Sequence, residues 1–195
     1  MLQITLFLFI SLFSNCLCLQ DDYYWRDYTN GEVPSDAIVG GQNSEGLNIY
    51  IGQAYIHGKG NIVTEIFSGI QEVYATTGTG VGPGIVKTTE AIKILCGPGQ
   101  NLYWTRTNRN TVHSLLVNHD AVIGGYQLYT NTTRGTLNIG RHIAHNKIGR
   151  IDTFNLYPYL YFNNNTQEDF ETTFEILLYT KNKNIDSKSD NNSKK

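Results

Sequence analysis

The chain has 195 residues, a formal net charge of −2 at pH 7, and 13 Tyr, 8 Phe and 19 Gly. This length predicts one domain or two small ones, and the aromatic and glycine content is typical of a globular protein built from strands and turns. A slightly acidic chain lacks the basic surface that nucleic acids require, so a nucleic-acid partner is excluded.

The first predicted element is a signal peptide over residues 1–18. Its apolar run, residues 6–13, is followed by Cys16 and Cys18, which place small residues before a cleavage site. The run is too short to span a bilayer of about 30 Å, which favours a signal peptide over a membrane anchor. No later stretch is long and apolar enough to span, so we expect a secreted protein without a membrane span.

Cysteine usage predicts a fold without internal disulfides. Once the signal peptide is removed, Cys96 is the single cysteine left, so stability must come from a hydrophobic core. Cys96 ends the apolar run of residues 92–96, which favours a buried, inert thiol over a nucleophile.

Most of the remaining chain consists of two similar segments. The hexapeptide DAIVGG at residues 36–41 returns as DAVIGG at residues 120–125. Other landmarks keep the same order in both copies: Trp25 and Trp104, residues 49–54 and 137–142, residues 57–59 and 145–147, and the closing apolar runs 92–96 and 174–178. This order predicts two tandem repeats, over residues 23–96 and 102–179, joined by residues 97–101.

Each repeat is predicted to consist of strands. Apolar residues share one parity in both copies: Leu47, Ile49, Ile51 and Tyr55 in the first, and Leu137, Ile139 and Ile143 in the second. A period of two is typical of half-buried strands, and no window after the signal peptide has helical spacing with caps. One repeat alone would be marginally stable. We therefore expect an all-β fold of two repeats, related by a pseudo-twofold axis and packed into one domain.

Several recurring residues have both a structural and a functional interpretation. For Asp36 and Asp120 the functional interpretation is contact with a ligand and the structural one is a role in turns; the structural one is favoured. For Trp25 and Trp104 the functional interpretation is stacking on a sugar ring and the structural one is packing in the core; the structural one is favoured. The Gly-Gly pairs are predicted to adopt backbone conformations forbidden to other residues.

Metal, cofactor and catalytic sites are not predicted. His142 and His145 are three residues apart, which on a strand places them on opposite faces and argues against a shared metal. The glycine-rich residues 78–84 lack the helix and the Lys-Ser/Thr pair of a phosphate loop, so a hairpin or loop is favoured. No nucleophile with an identifiable base and no carboxylate pair within a motif is present, which predicts that the chain is not an enzyme.

Three N-glycosylation sequons begin at Asn131, Asn164 and Asn191, and beside a signal peptide they predict glycosylated surface loops at the first two. Residues 181–195 contain no apolar run and are predicted to form a disordered polar tail.

The ordered landmarks resemble the DM-nine repeat family, a module of invertebrate proteins that is related to the repeats of natterin-like proteins. The first copy carries Trp25, Val33-Pro34, and residues 37–41, 49–54 and 92–96; the second carries Trp104, Val112, and residues 121–125, 139–141 and 174–178. The resemblance implies pattern recognition in innate immunity, with glycans or glycoproteins as partners. The family's best-understood members are mannose-binding lectins that form homodimers.

The resemblance also implies sugar-binding residues. In the family, an acidic residue after the Gly-Gly pair and a lysine after the long strand bind sugar hydroxyls. The matching positions imply one site that pairs Asn43 with Glu65 and a second that pairs Gln127 with Arg150, with Asp36, Asp120 and Arg141 in supporting positions.

These positions depart from the family pattern. An amide replaces the carboxylate in both copies, and Glu65 reverses the charge of the lysine in the first. Amides still bind hydroxyls, so we expect a secreted, non-enzymatic, lectin-like protein with altered specificity for mannose-type ligands. The alternative is a secreted interaction or effector protein of saliva, venom or haemolymph whose sugar sites have degenerated.

Overall fold

The computed structural model describes residues 23–78, 84–128 and 134–180, and these residues form an all-β fold, as predicted. They contain fifteen strands and one five-residue helix. The predicted signal peptide, the predicted glycosylation site Asn131 and the predicted polar tail lie outside the described residues. Within the described ranges, no helix combines the length and the apolar character needed to cross a membrane.

The first half centres on its longest strand. Its strands are β1 (Tyr24–Asp27), β2 (Val39–Gln42), β3 (Asn48–Ile56), β4 (Gly60–Ile66), β5 (Val73–Thr76), β6 (Ile85–Thr88) and β7 (Ile92–Cys96). β3 pairs with β2, β4 and β7, and β7 pairs with β1, all antiparallel. β5 and β6 form a separate antiparallel pair. Residues 79–83, which belong to the glycine-rich stretch predicted as a hairpin or loop, lie outside the described residues.

The second half repeats this order of pairing. Its elements are β8 (Leu102–Asn108), α1 (Val112–Leu116), β9 (Asp120–Ala121), β10 (Ile123–Leu128), β11 (Arg134–Arg141), β12 (Ile148–Ile151), β13 (Leu160–Asn164), β14 (Gln167–Glu171) and β15 (Thr173–Tyr179). β11 pairs with β10, β12 and β15, and β15 pairs with β8. The pseudo-twofold relation and the repeat boundaries stay predictions.

The two halves meet in one continuous sheet. β4 pairs with β10, which places Tyr126 opposite Asn61 and Gln127 opposite Gly60. The sheet then continues through β11 and β12 to β13 and β14. The junction also brings the turn before β4 against β10, where the N–H of Leu128 donates to the carbonyl of Lys59 at 2.8 Å.

The Gly-Gly pairs are required for close packing. None of the four glycines has a positive φ, so the prediction of special backbone conformations is wrong. A Cβ on Gly40 would lie 2.9 Å from Ile51 Cγ1, and one on Gly125 would lie 2.0 Å from the backbone oxygen of Asn61. Both distances are shorter than non-bonded atoms tolerate, so any side chain would push the strands apart.

The core is shared between the halves. Ile49 and Ile51 pack in one cluster with Ile139 and Leu177, whereas Ala54 and Ile56 pack in another with Leu137. β3 is therefore buried on both faces at its centre. Its predicted core-face residues Leu47 and Tyr55 are instead 56% and 47% exposed, because they lie before the strand and near its end.

The paired tryptophans lie at the edge of this core. Trp25 and Trp104 are partly buried and pack against the cluster that contains Ile49 and Leu177. This placement fits the preferred interpretation of both residues as core anchors. Cys96 is fully buried, as predicted, and this burial raises the pKa of its thiol to about 11.

Candidate functional site

Asn43 holds the turn between β2 and β3. Its Oδ1 atom accepts hydrogen bonds from the backbone N–H groups of Glu45 and Leu47, at 3.0 Å and 2.9 Å. Among the described residues, no partner engages its Nδ2 group. The side chain therefore fixes the turn with its oxygen and keeps its amide donors for a ligand.

Glu65, a predicted sugar-binding residue of the first site, is buried in the structure. Its exposed fraction is 8%. Its Oε1 atom accepts a hydrogen bond from the backbone N–H of Ile148 at 2.9 Å, and its Oε2 atom lies 3.6 Å from Lys147 Nζ. Burial raises the pKa of Glu65, and the nearby Lys147 ammonium and the Ile148 N–H oppose this rise. Glu65 is thus an anchor for the second half of the chain.

Lys147 places an ammonium group beside Glu65, the residue that stands where the family pattern has a lysine. It lies in the turn between β11 and β12, and its side chain is 29% exposed. An ammonium group has three donors, and contact with Glu65 leaves donors for hydroxyl groups. This role is not visible in the sequence, although the turn 145–147 is one of the repeated landmarks, because the contact joins residues of different halves.

These turns enclose an open cleft of about 480 Å³, called here the Lys147 cleft. Its polar wall consists of Lys147 and the amides of Gln42, Asn43, Asn146, Asn164 and Asn165. Phe67, which is partly buried, supplies apolar surface, and the core residue Ile49 lies beneath it. Amides and an ammonium beside an apolar surface can bind the hydroxyls and the C–H face of a sugar.

The turn 143–145 also overturns the expectation for the histidines. The rings of His142 and His145 stack with centroids 4.9 Å apart and planes 7° apart, because the chain turns here and does not continue as a strand. Their predicted placement on opposite faces is wrong. Among the described residues, no group of three or more His, Cys, Asp or Glu is arranged to hold a metal ion.

The second predicted pair is brought together, but it is buried. Arg150 is 1% exposed and Gln127 is 7% exposed. Arg150 donates to Gln127 Oε1 at 3.1 Å and to the carbonyl of Thr76 at 2.8 Å. Its guanidinium lies 3.6 Å from Glu168 Oε2 and 4.1 Å from the ring centre of Tyr161. The prediction that Gln127 and Arg150 form a sugar site is therefore wrong, because protein groups surround the guanidinium.

The three supporting residues lie outside the Lys147 cleft. Asp36 follows Pro34 in a turn and accepts a hydrogen bond from the Tyr24 hydroxyl, which fits the preferred turn interpretation. Asp120 is exposed on β9. Arg141 bonds Glu175 at 2.7 Å and the carbonyl of Gly40 at 2.8 Å. It therefore links the second half to the first Gly-Gly pair.

The comparison with protein families agrees with the predicted resemblance. The family model of the DM9 repeat, which is the DM-nine repeat described above, matches residues 14–79. The matched segment includes Trp25, the first Gly-Gly pair, Asn43 and Glu65. No curated protein matches the chain significantly.

Proposed function

We propose that this chain, which carries a DM9 repeat over residues 14–79, is a secreted, non-enzymatic glycan-binding protein that acts in pattern recognition through the Lys147 cleft. A lectin-like role is consistent with the DM9 repeat. The observation that carries the proposal is the position of Lys147, 3.6 Å from Glu65 and beside five side-chain amides. The second half thereby provides the cation that the first repeat lacks.

The chemistry of the Lys147 cleft favours neutral sugars of the mannose type with altered specificity. Side-chain amides replace the carboxylate of the family pattern, so hydroxyls would meet both donors and acceptors without a full negative charge at the opening. One open cleft of this kind binds weakly. Glycans or glycoproteins that present many sugars would gain from several sites, as in a homodimer.

Replacing Lys147 with methionine is expected to weaken binding of mannose oligosaccharides about tenfold or more, because a hydrogen bond from a charged donor is worth about 1.5–3 kcal/mol. Isothermal titration calorimetry with oligosaccharides free in solution measures the change in affinity. Lys93→Met is the matched control, since Lys93 is 49% exposed and lies beside Asp27, away from this cleft.

A second variant separates binding from folding. Lys147→Met leaves the buried Glu65 without its cation, whereas Lys147→Met with Glu65→Gln removes both charges and should restore the melting temperature without restoring binding. Glu65→Gln alone should still bind sugar. Retained binding in the folded double variant would contradict the proposal.

The alternative function, a secreted interaction or effector protein, is favoured by one observation. The second predicted sugar pair is closed, since Arg150 is fully engaged by protein groups. A wild-type chain that binds no oligosaccharide on an array, yet captures a protein whose glycans have been removed, would support this alternative.

Glycosylation at Asn164 is expected to obstruct the Lys147 cleft, so the proposed sugar-binding form of the chain is the one whose Asn164 carries no glycan. Asn164 is exposed and lines that cleft, and its sequon ends in the tight turn at Asn165 and Thr166. Chain secreted from eukaryotic cells with a glycan on Asn164 should therefore bind soluble mannosides several-fold more weakly than the variant Thr166→Gly.

This substitution removes the sequon and keeps Asn164. Glycine accepts the φ of 66° found at Thr166, so the turn should be preserved. Mass spectrometry establishes the occupancy, and Asn131→Gln controls for removal of a glycan elsewhere. Equal affinity of the glycosylated chain and the Thr166→Gly variant would refute the obstruction.

A further inference from the structure

A second open cleft lies where β1 approaches the junction of β4 and β10. Its volume is about 530 Å³, and we call it the Trp25 cleft. Trp25 and Tyr24 come from β1, Asn61 from β4, Tyr126 from β10 and Thr136 from β11. None of its described lining residues also lines the Lys147 cleft. Residues from both halves of the chain therefore build it.

The walls of the Trp25 cleft are aromatic and uncharged. Four of its lining residues are aromatic, namely Tyr23, Tyr24, Trp25 and Tyr126, and none of the described residues that line it is Lys, Arg, Asp or Glu. Tyr126 is 41% exposed, and Ile123 beside it is 53% exposed. An uncharged aromatic surface suits the C–H face of a sugar ring and disfavours an ionic ligand.

Four polar groups in the walls of this cleft have no hydrogen-bond partner among the described residues. In the described part of the chain, no hydrogen bond engages the indole N–H of Trp25, the side-chain amide of Asn61, or the hydroxyls of Tyr126 and Thr136. By contrast, Gln53 in the same wall donates to the carbonyl of Gly124 at 2.7 Å. The cleft thus offers both donors and acceptors at the edges of aromatic rings.

We infer that the Trp25 cleft is a second carbohydrate-binding site, specific for neutral saccharides. A sugar ring packs on Trp25 and Tyr126, and its hydroxyls bond Asn61 and Thr136. This site needs neither the lysine nor the turn amides of the Lys147 cleft, so it operates independently of the function proposed there.

The small number of tryptophans provides a direct test. The chain has two Trp residues, so the variant Trp104→Phe leaves Trp25 as the single reporter of tryptophan fluorescence. Titration with neutral mannose, glucose and galactose tetrasaccharides should shift this emission in a saturable manner. In the same background, Tyr126→Ala and Asn61→Ala should each weaken the response about tenfold or more.

The controls separate this site from the Lys147 cleft. Tyr103→Ala is the matched aromatic control, because Tyr103 is 37% exposed and does not line the cleft. Adding Lys147→Met and Glu65→Gln should leave the Trp25 response unchanged, even if binding at the Lys147 cleft is lost. The absence of a saturable shift with every tetrasaccharide, or a shift that survives both Tyr126→Ala and Asn61→Ala in folded protein, would overturn the inference.

Discussion

Replacing Arg150 with methionine is expected to lower the free energy of unfolding by about 3–5 kcal/mol, because breaking a buried ion pair leaves an uncompensated charge. Arg150 is 1% exposed, and the side chain of its partner Glu168 is 8% exposed. The substitution also leaves the carbonyl of Thr76 and the Oε1 atom of Gln127 without the donors that they have now. Urea denaturation measures the loss.

A double variant distinguishes the unpaired charge from a packing defect. Arg150→Met with Glu168→Gln removes both charges, so it should recover a large part of the lost stability. Arg26→Met is the exposed control, since Arg26 is 57% exposed and 3.9 Å from Asp36; it should cost at most about 1 kcal/mol. If Arg150→Met costs no more than this control, the buried ion pair does not stabilise the fold.

Replacing Gly125 with alanine is expected to cost about 3 kcal/mol, at the upper end of the range for overpacking. The added Cβ would lie 2.0 Å from the backbone oxygen of Asn61. A backbone atom cannot move to another rotamer, so the pairing of β4 with β10 must open. Because this pairing joins the two halves, hydrogen exchange should accelerate at the amides of both strands.

Gly58→Ala is the matched control for this substitution. Gly58 has a φ of 70° but no atom within 4 Å of a built Cβ, so alanine there costs about 1–2 kcal/mol of conformational strain and no steric clash. Gly125→Ala should therefore be the more destabilising of the two. An equal or smaller effect at Gly125 would show that the sheet adapts at this junction.

Much of the fold could be predicted, because its signals are local. Alternating apolar residues predicted the strands that the structure shows as β3 and β11, although Leu47 and Ile143 lie beyond the ends of these strands. The apolar run before Cys96 predicted a buried thiol, which is confirmed. The helix α1 was missed, since five residues are too few to show a helical period. Burial of β3 on both faces was also missed, because Ala54 and Ile56 on its second face are covered by residues of other strands, among them Ile92, Ile94 and Leu137, which the sequence pattern does not place beside β3.

The candidate site was less predictable, for the same physical reason. The family pattern placed Gln127 next to Arg150, and the structure joins them. It gave no sign that Thr76 and Glu168 close around the guanidinium. Lys147 was missed because its contact with Glu65 joins the two halves, as does the hydrogen bond from Ile148 to Glu65, which spans 83 residues.

Both halves of the chain contribute residues to the Lys147 cleft, which has a consequence for recombination between related genes. Its lysine is encoded in one half of the chain and its turn amide Asn43 in the other, with Glu65 bridging them. A recombination event that exchanges only one half between related genes would separate Glu65 from the Lys147 that evolved beside it. Such chimaeras are expected to be less stable, because Glu65 would stay buried without its cation, and to lack the cation of the proposed glycan site.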